Sequence, residues 1–130
     1  MLKFTFTDTG YFLEHLPDSL EQWLPPRLTL MLKAGQPISL ERCHASIMLR
    51  ANDRCWRELY RLAHWDDQDA IALSACDKEF LEISLRGTWL TSNPQSTEGV
   101  FLVNLTPPTE ASLYNLWLQN APRPSIKAQG

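Results

Sequence analysis

The sequence predicts an α+β fold: a mostly antiparallel sheet of six to seven strands built from hairpins, with about three helices packed on one face. Three observations predict it. Residues 2–7 and 79–91 alternate apolar and polar side chains with the period of two that marks a half-buried strand. Apolar residues at helical spacing recur in three other segments, each opened by a capping or proline signal. Short turn-rich links between neighbouring strands favour hairpins over crossovers.

Leu2, Phe4 and Phe6 form one face of the first strand and Lys3, Thr5 and Thr7 the other. Asp8-Thr9-Gly10 supplies turn chemistry, and residues 11–16 return as the second strand. Asp18 and Glu21 fit a capping box ahead of the stripe Leu20, Trp23 and Leu24. Pro25 and Pro26 remove backbone donors, which predicts a kink or a second helix starting at Pro26. Leu28, Met31 and Leu32 extend the apolar face until Gly35 stops the helix.

Residues 38–41 and 45–50 read as two short strands. Asn52 or Asp53 caps a helix running to about His64, with Cys55, Leu59 and Leu62 inward and Trp56, Tyr60 and Ala63 widening that face. Strands follow at 70–75, 79–91 and 99–105. A last helix spans 108–119, with Leu113, Leu116 and Trp117 at core spacing. Residues 1–121 make one globular domain, and 122–130, with two prolines, a flexible C-terminal tail.

The chain has 130 residues, 44% hydrophobic and 21% charged, so it can bury roughly two-thirds of its unfolded surface without disulfide or metal. Three cysteines (Cys43, Cys55 and Cys76) make an odd count. No apolar run approaches a membrane span and no secretory leader is evident, so a cytoplasmic, reduced protein is expected, with no membrane partner. The net charge of −3 makes a nucleic-acid partner unlikely on field grounds. Charge is uneven: residues 66–130 carry four Lys/Arg against eight Asp/Glu.

No metal site is expected. Cys43, His44, Cys55, His64 and Cys76 lack the paired spacing that puts two ligands on one ion. The run Asp66-Asp67-Gln68-Asp69 lacks the glycine of a calcium loop and reads as solvated. No nucleophile elbow, phosphate loop or dinucleotide fingerprint occurs, so no catalytic residue and no cofactor is assigned. His15, His44 and His64 stand far in sequence from plausible partners.

Two groups remain as candidates. Arg54, Arg57 and Arg61 share one helix face, where Asp53 and Glu58 favour a solvated, salt-bridged surface, an acidic protein partner second and nucleic acid last. In residues 79–91, Leu81, Ile83, Leu85, Gly87 and Trp89 point to the core. Glu82, Ser84, Arg86 and Thr88 point away, as the wet side of a long central strand or as a protein-binding face. Gly87 leaves room beside Trp89 for a neighbour, or marks a bulge.

The stretches LKFTFTDTGYFLEHL, EFLEISLRGTWLTSN with EGVFLVNL, and LYNLWLQ give the chain a character that resembles a group of small cyanobacterial proteins. The resemblance implies a bacterial cytoplasmic setting and carries over no activity, cofactor or functional residue. Pro25-Pro26 departs from the uninterrupted first helix it implies. The leading expectation is a non-enzymatic protein-binding, assembly or regulatory protein, acting on another protein or on itself as a homodimer. Five tryptophans, and the opposed charge of the Arg-rich helix and the acidic second half, motivate it. The rival is a small-molecule-binding domain or minor enzyme, with a pocket between helices and sheet lined by Trp23, Trp56, His64 and Trp89.

Overall fold

The alternation that opens the chain becomes a hairpin. Strand β1 (Leu2–Thr7) pairs antiparallel with β2 (Gly10–His15) across the turn at Asp8-Thr9, and Gly10 takes a φ of 145° that side chains with a Cβ rarely adopt. The structure, a computed structural model, describes residues 1–77 and 79–120. The tail expected at 122–130 lies outside the described residues.

Helix α1 (Leu20–Lys33) is capped by Ser19, one residue beyond the Asp18 of the sequence reading. Ser19 Oγ accepts from Gln22 N–H, and the Gln22 side chain accepts from Ser19 N–H. Two capping-box frames overlap here, and the one that forms starts the helix at Leu20, on the stripe of Trp23 and Leu24. Pro25 and Pro26 lie inside α1 and do not split it. The carbonyls they leave without donors belong to Glu21 and Gln22, in the exposed first turn, where water can serve them. At the other end Gln36 N–H bonds Met31 O and Gly35 N–H bonds Leu32 O, each at 3.0 Å, with Gly35 at φ +70°.

The two short strands expected around Cys43 are one, β3 (Ser39–Arg50). It pairs residue for residue with a later strand of equal length, and that ladder overrides the weak local signal at Cys43-His44. Helix α2 (Asp53–Asp66) follows, with Asn52 Oδ1 accepting from Cys55 N–H at 2.8 Å. Then come β4 (Ile71–Ala75), β5 (Phe80–Thr91), β6 (Gly99–Val103) and α3 (Pro107–Asn120).

The sheet has six strands, all paired antiparallel, in the order β2-β1-β6-β5-β3. β4 adds to β5 on the edge it shares with β6: Ile71 faces Leu85, whereas Leu102 faces Thr88. The two short strands therefore lie end to end along one long one. Gly87 sits at the seam, where a Cβ would fall on the Leu102 carbonyl and 2.8 Å from Phe101 Cζ.

The α+β class, the antiparallel sheet and the three helices match the sequence reading, but the helices do not share one face. On one face Leu2, Phe4, Ile47, Leu49, Leu81, Ile83, Leu85, Phe101 and Val103 lie beneath Leu59 and Ala63 of α2 and Leu113 and Leu116 of α3. On the other, Met1, Leu90 and Leu102 lie against Trp23 of α1, flanked by Leu20, Leu24 and Leu28. The cause is visible at Val100-Phe101-Leu102-Val103: a continuous apolar run in a strand puts apolar side chains on both faces, and both need cover.

Candidate functional site

Helix α1 covers only the part of its face around Met1, Leu90 and Leu102. Along β3, β4 and the first half of β5 that face is open. Arg42 stands opposite Thr88, His44 opposite Arg86, Ser46 opposite Ser84, Met48 opposite Glu82 and Arg50 opposite Phe80. Met48 is 56% exposed. Ser46 and Ser84 hydroxyls meet at 3.2 Å, Arg86 Nε donates to His44 Nε2 at 3.4 Å, and the Arg50 guanidinium lies 5.4 Å from the Phe80 ring centre. The predicted set Glu82, Ser84, Arg86 and Thr88 is thus one row of a contiguous polar surface. Its flanking Leu90 is buried under α1 rather than free for a partner.

This surface ends at a strand edge. Arg86 N–H bonds Ala70 O on the β4 side, and Ala51 N–H bonds Glu79 O on the β3 side. Backbone groups alternate in direction along a strand. Hence the odd-numbered residues of β3 face β5, and Leu40, Arg42, His44, Ser46, Met48 and Arg50 turn their N–H and C=O outward. Among the described residues Arg50 alone is served: its N–H donates to Asn120 Oδ1 at 2.7 Å and its carbonyl accepts from Asn120 Nδ2 at 2.9 Å. One side-chain amide there substitutes for a neighbouring strand. From Leu40 to Met48 the edge has no strand beside it among the described residues. No proline or bulge interrupts it, the devices that commonly blunt such edges.

The second candidate surface is the outer side of α2. Arg54, Arg57 and Arg61 are exposed, and none joins the ion pairs of the described residues, which are Met1–Glu110, Lys3–Glu14 and His15–Glu110. The surface is solvated as expected, but Asp53 and Glu58 close no salt bridge with these arginines; exposed long side chains gain little from closing such a pair. Beside the arginines runs an aromatic ladder. Trp56 stacks on Tyr60 at 4.9 Å, Tyr60 on His64 at 5.7 Å, and Trp65, 78% exposed, meets His64 edge-on. Tyr60 and Trp65 were missing from the sequence candidates, although the four-residue spacing of Trp56, Tyr60 and His64 was there to read.

A family model described as Alr0857-like matches residues 1–121. The chain belongs to the Alr0857-like family. The match spans every described strand and helix, and so both surfaces. No curated protein and no solved structure matches the chain.

In this family member the four residues expected to line one pocket are dispersed. Trp23 lies on the α1 face under the Arg27 guanidinium, 4.1 Å from its ring centre, while Trp89 packs edge-on against Phe6. His64 lines a small cleft of about 190 Å³ with Tyr60 and Gln68. Trp56 lines a different one of about 320 Å³ with Asp53, Arg57, Asp77 and Phe80, and its buried Nε1 has no hydrogen-bond partner among the described residues. A shallower cleft of about 710 Å³ adjoins it at Ala51, Glu79 and Phe80.

The three cysteines are free thiols. Burial, then the Glu41 charge, pushes the Cys43 thiol up. Partial desolvation, then the Glu82 carboxylate that accepts from it at 3.6 Å, pushes up the thiol of the exposed Cys76. Neither has the lowered pKa of an activated nucleophile. Asp67, from the acidic run, accepts from both the N–H and the hydroxyl of Thr106, tying α2 to the start of α3. Among the described residues no group of three His, Cys, Asp or Glu side chains could hold a metal ion, and no helix is long and apolar enough to cross a membrane.

Proposed function

We propose that the chain is a small non-enzymatic protein-binding, assembly or regulatory module, acting on another protein or on a second copy through the β3 edge and the open sheet face beside it. One observation carries this reading: outward backbone groups from Leu40 to Met48 border a solvent-facing surface of Arg42, His44, Ser46, Met48, Glu82, Ser84 and Arg86. Such an edge offers main-chain hydrogen bonds for affinity and alternate side chains for selection. The exposed arginines of α2, which join no ion pair among the described residues, with Trp65 and Tyr60 beside them, offer an alternative contact suited to an acidic protein. Cytoplasmic residence is supported by the free thiols, and a cyanobacterial source by the family's descriptive name.

The test is affinity capture of the tagged full chain from lysate of its own organism. A stoichiometric partner should be lost when Glu82 and Arg86 are reversed in charge and kept when Arg54, Arg57 and Arg61 are. The opposite pattern moves the interface to α2, and capture of neither a partner nor the chain itself defeats the reading.

A second reading, a small-molecule-binding domain, draws on Trp56 Nε1, buried with no partner among the described residues, at a cleft of about 320 Å³. A hydrogen-bond acceptor on an aromatic or apolar body is the ligand it would suit. A thermal-shift screen in which the chain and its Trp56→Phe variant respond alike to every compound removes it.

A further inference from the structure

We propose that the occupant of the β3 edge is a second copy of this chain, paired antiparallel about a two-fold axis at His44. The inference rests on the edge-binding reading above and adds its partner and register.

The argument is the self-complementarity of the edge. A two-fold interface must match the same patch to itself. With the axis at His44, Leu40 faces the partner's Met48, Arg42 faces the partner's Ser46, and His44 faces the partner's His44. Leu40 and Met48 are large hydrophobics, 45% and 56% exposed, equidistant from that axis. Their pairing covers apolar surface on both sides of the centre. Every position in the ladder is one whose N–H and C=O already point outward, so about ten inter-chain hydrogen bonds form without rearranging β3.

Neighbouring registers fail for stated reasons. An axis at Arg42 sets that guanidinium against the partner's Arg42, and an axis at Ser46 sets Arg42 against the partner's Arg50; like charges directly opposed are unfavourable. An axis at Ala45 brings Leu40 to the partner's Arg50, whose backbone groups are taken by Asn120. An axis at Cys43 sends Met48 to the partner's Ile38, which precedes the strand. The Asn120 amide thus ends the open edge at the point where the His44-centred ladder ends.

Sedimentation of the full chain at micromolar concentration should give a dimer. Arg42→Pro should give a folded monomer whose thermal midpoint no longer depends on protein concentration, because the N–H it removes faces outward. The register is read by cross-linking in a Cys43→Ser, Cys55→Ser, Cys76→Ser background. Opposed residues of a hydrogen-bonded antiparallel pair have Cα atoms about 5.5 Å apart, within disulfide reach. His44→Cys should therefore oxidise to a covalent dimer, and Ser46→Cys should not. Equal cross-linking of the two overturns the register. A monomer at all concentrations overturns the self-pairing, whether the edge then belongs to another protein or to residues 121–130. If Arg42→Pro still abolishes capture of a different protein, the edge-binding reading survives that failure; if it changes nothing, both fall together.

Discussion

The amino nitrogen of Met1 lies 2.8 Å from Glu110 Oε1, an ion pair closed across 109 positions of sequence, with both residues buried. Glu110 Oε1 also meets His15 Nε2, and Oε2 accepts from Leu105 N–H. The carboxylate therefore joins the start of β1, the end of β2 and the approach to α3. Removing one member of a buried pair strands the other, at a cost of about 3–5 kcal/mol. Glu110→Ala should lose that much in urea unfolding; a loss below about 1 kcal/mol, the level of an exposed pair, would show that the ammonium is not held in a dry site.

Gly87 is required by contact rather than by its dihedral angles. Overfilling a packed site costs about 1–3 kcal/mol, and here the obstacle is the Leu102 backbone carbonyl and the Phe101 ring. Gly87→Ala should lower the thermal midpoint and speed amide exchange in β6. Wild-type stability in that variant would mean that β4 and β6 part more readily than they are packed.

Asn120 performs a strand's task with one side chain. Loss of its two hydrogen bonds to Arg50, and of a third to the Leu116 carbonyl, in Asn120→Ala should cost about 1–2 kcal/mol and expose the Arg50 amide to exchange. Protection of that amide in the variant would count against the edge assignment.

Cys76 offers a test by pH. Its exposed thiol is raised by partial desolvation and then by Glu82, and only the thiolate is nucleophilic. Replacing the carboxylate lowers the pKa, and more thiolate is present at a given pH. Glu82→Gln should therefore be alkylated faster than wild type near pH 8, the two rates converging well above the higher thiol pKa. Equal rates near pH 8 would sever the Cys76–Glu82 link.

Reversing Arg54, Arg57 and Arg61 removes no ion pair among the described residues, so each change should alter stability by no more than about 0.5 kcal/mol. A larger loss would make them structural residues and end their use as a docking face.

What was legible in the sequence was whatever a local period could write. The β1–β2 hairpin, the start of α2 and the inward set Leu81, Ile83 and Leu85 follow from spacing and turn chemistry alone. Features that depend on a distant partner were not legible. The proline pair looks like a breaker until the exposure of Glu21 and Gln22 is known. Residues 38–50 look like two strands until β5 supplies a full-length mate. The split of the helices between two faces was foreshadowed by Val100–Val103, a run too apolar for one wet side. The wet row of β5 was readable from its alternation. That β3 is the edge strand among the described residues was not, because strand order decides which strand lies outermost, and a periodic pattern carries no strand order.

The end-to-end placement of β4 and β6 has a mechanical consequence. Along one side of β5 the sheet is two separate panels meeting at Gly87, and a crease there is resisted by the strand on the other side. β3 spans both panels without interruption and acts as a splint. Anything laid along the bare side of β3 thickens that splint. Binding at the edge and rigidity at the seam are then one property, measurable as slower amide exchange at Arg86 and Thr88, whose N–H groups point away from that edge, towards β4 and β6.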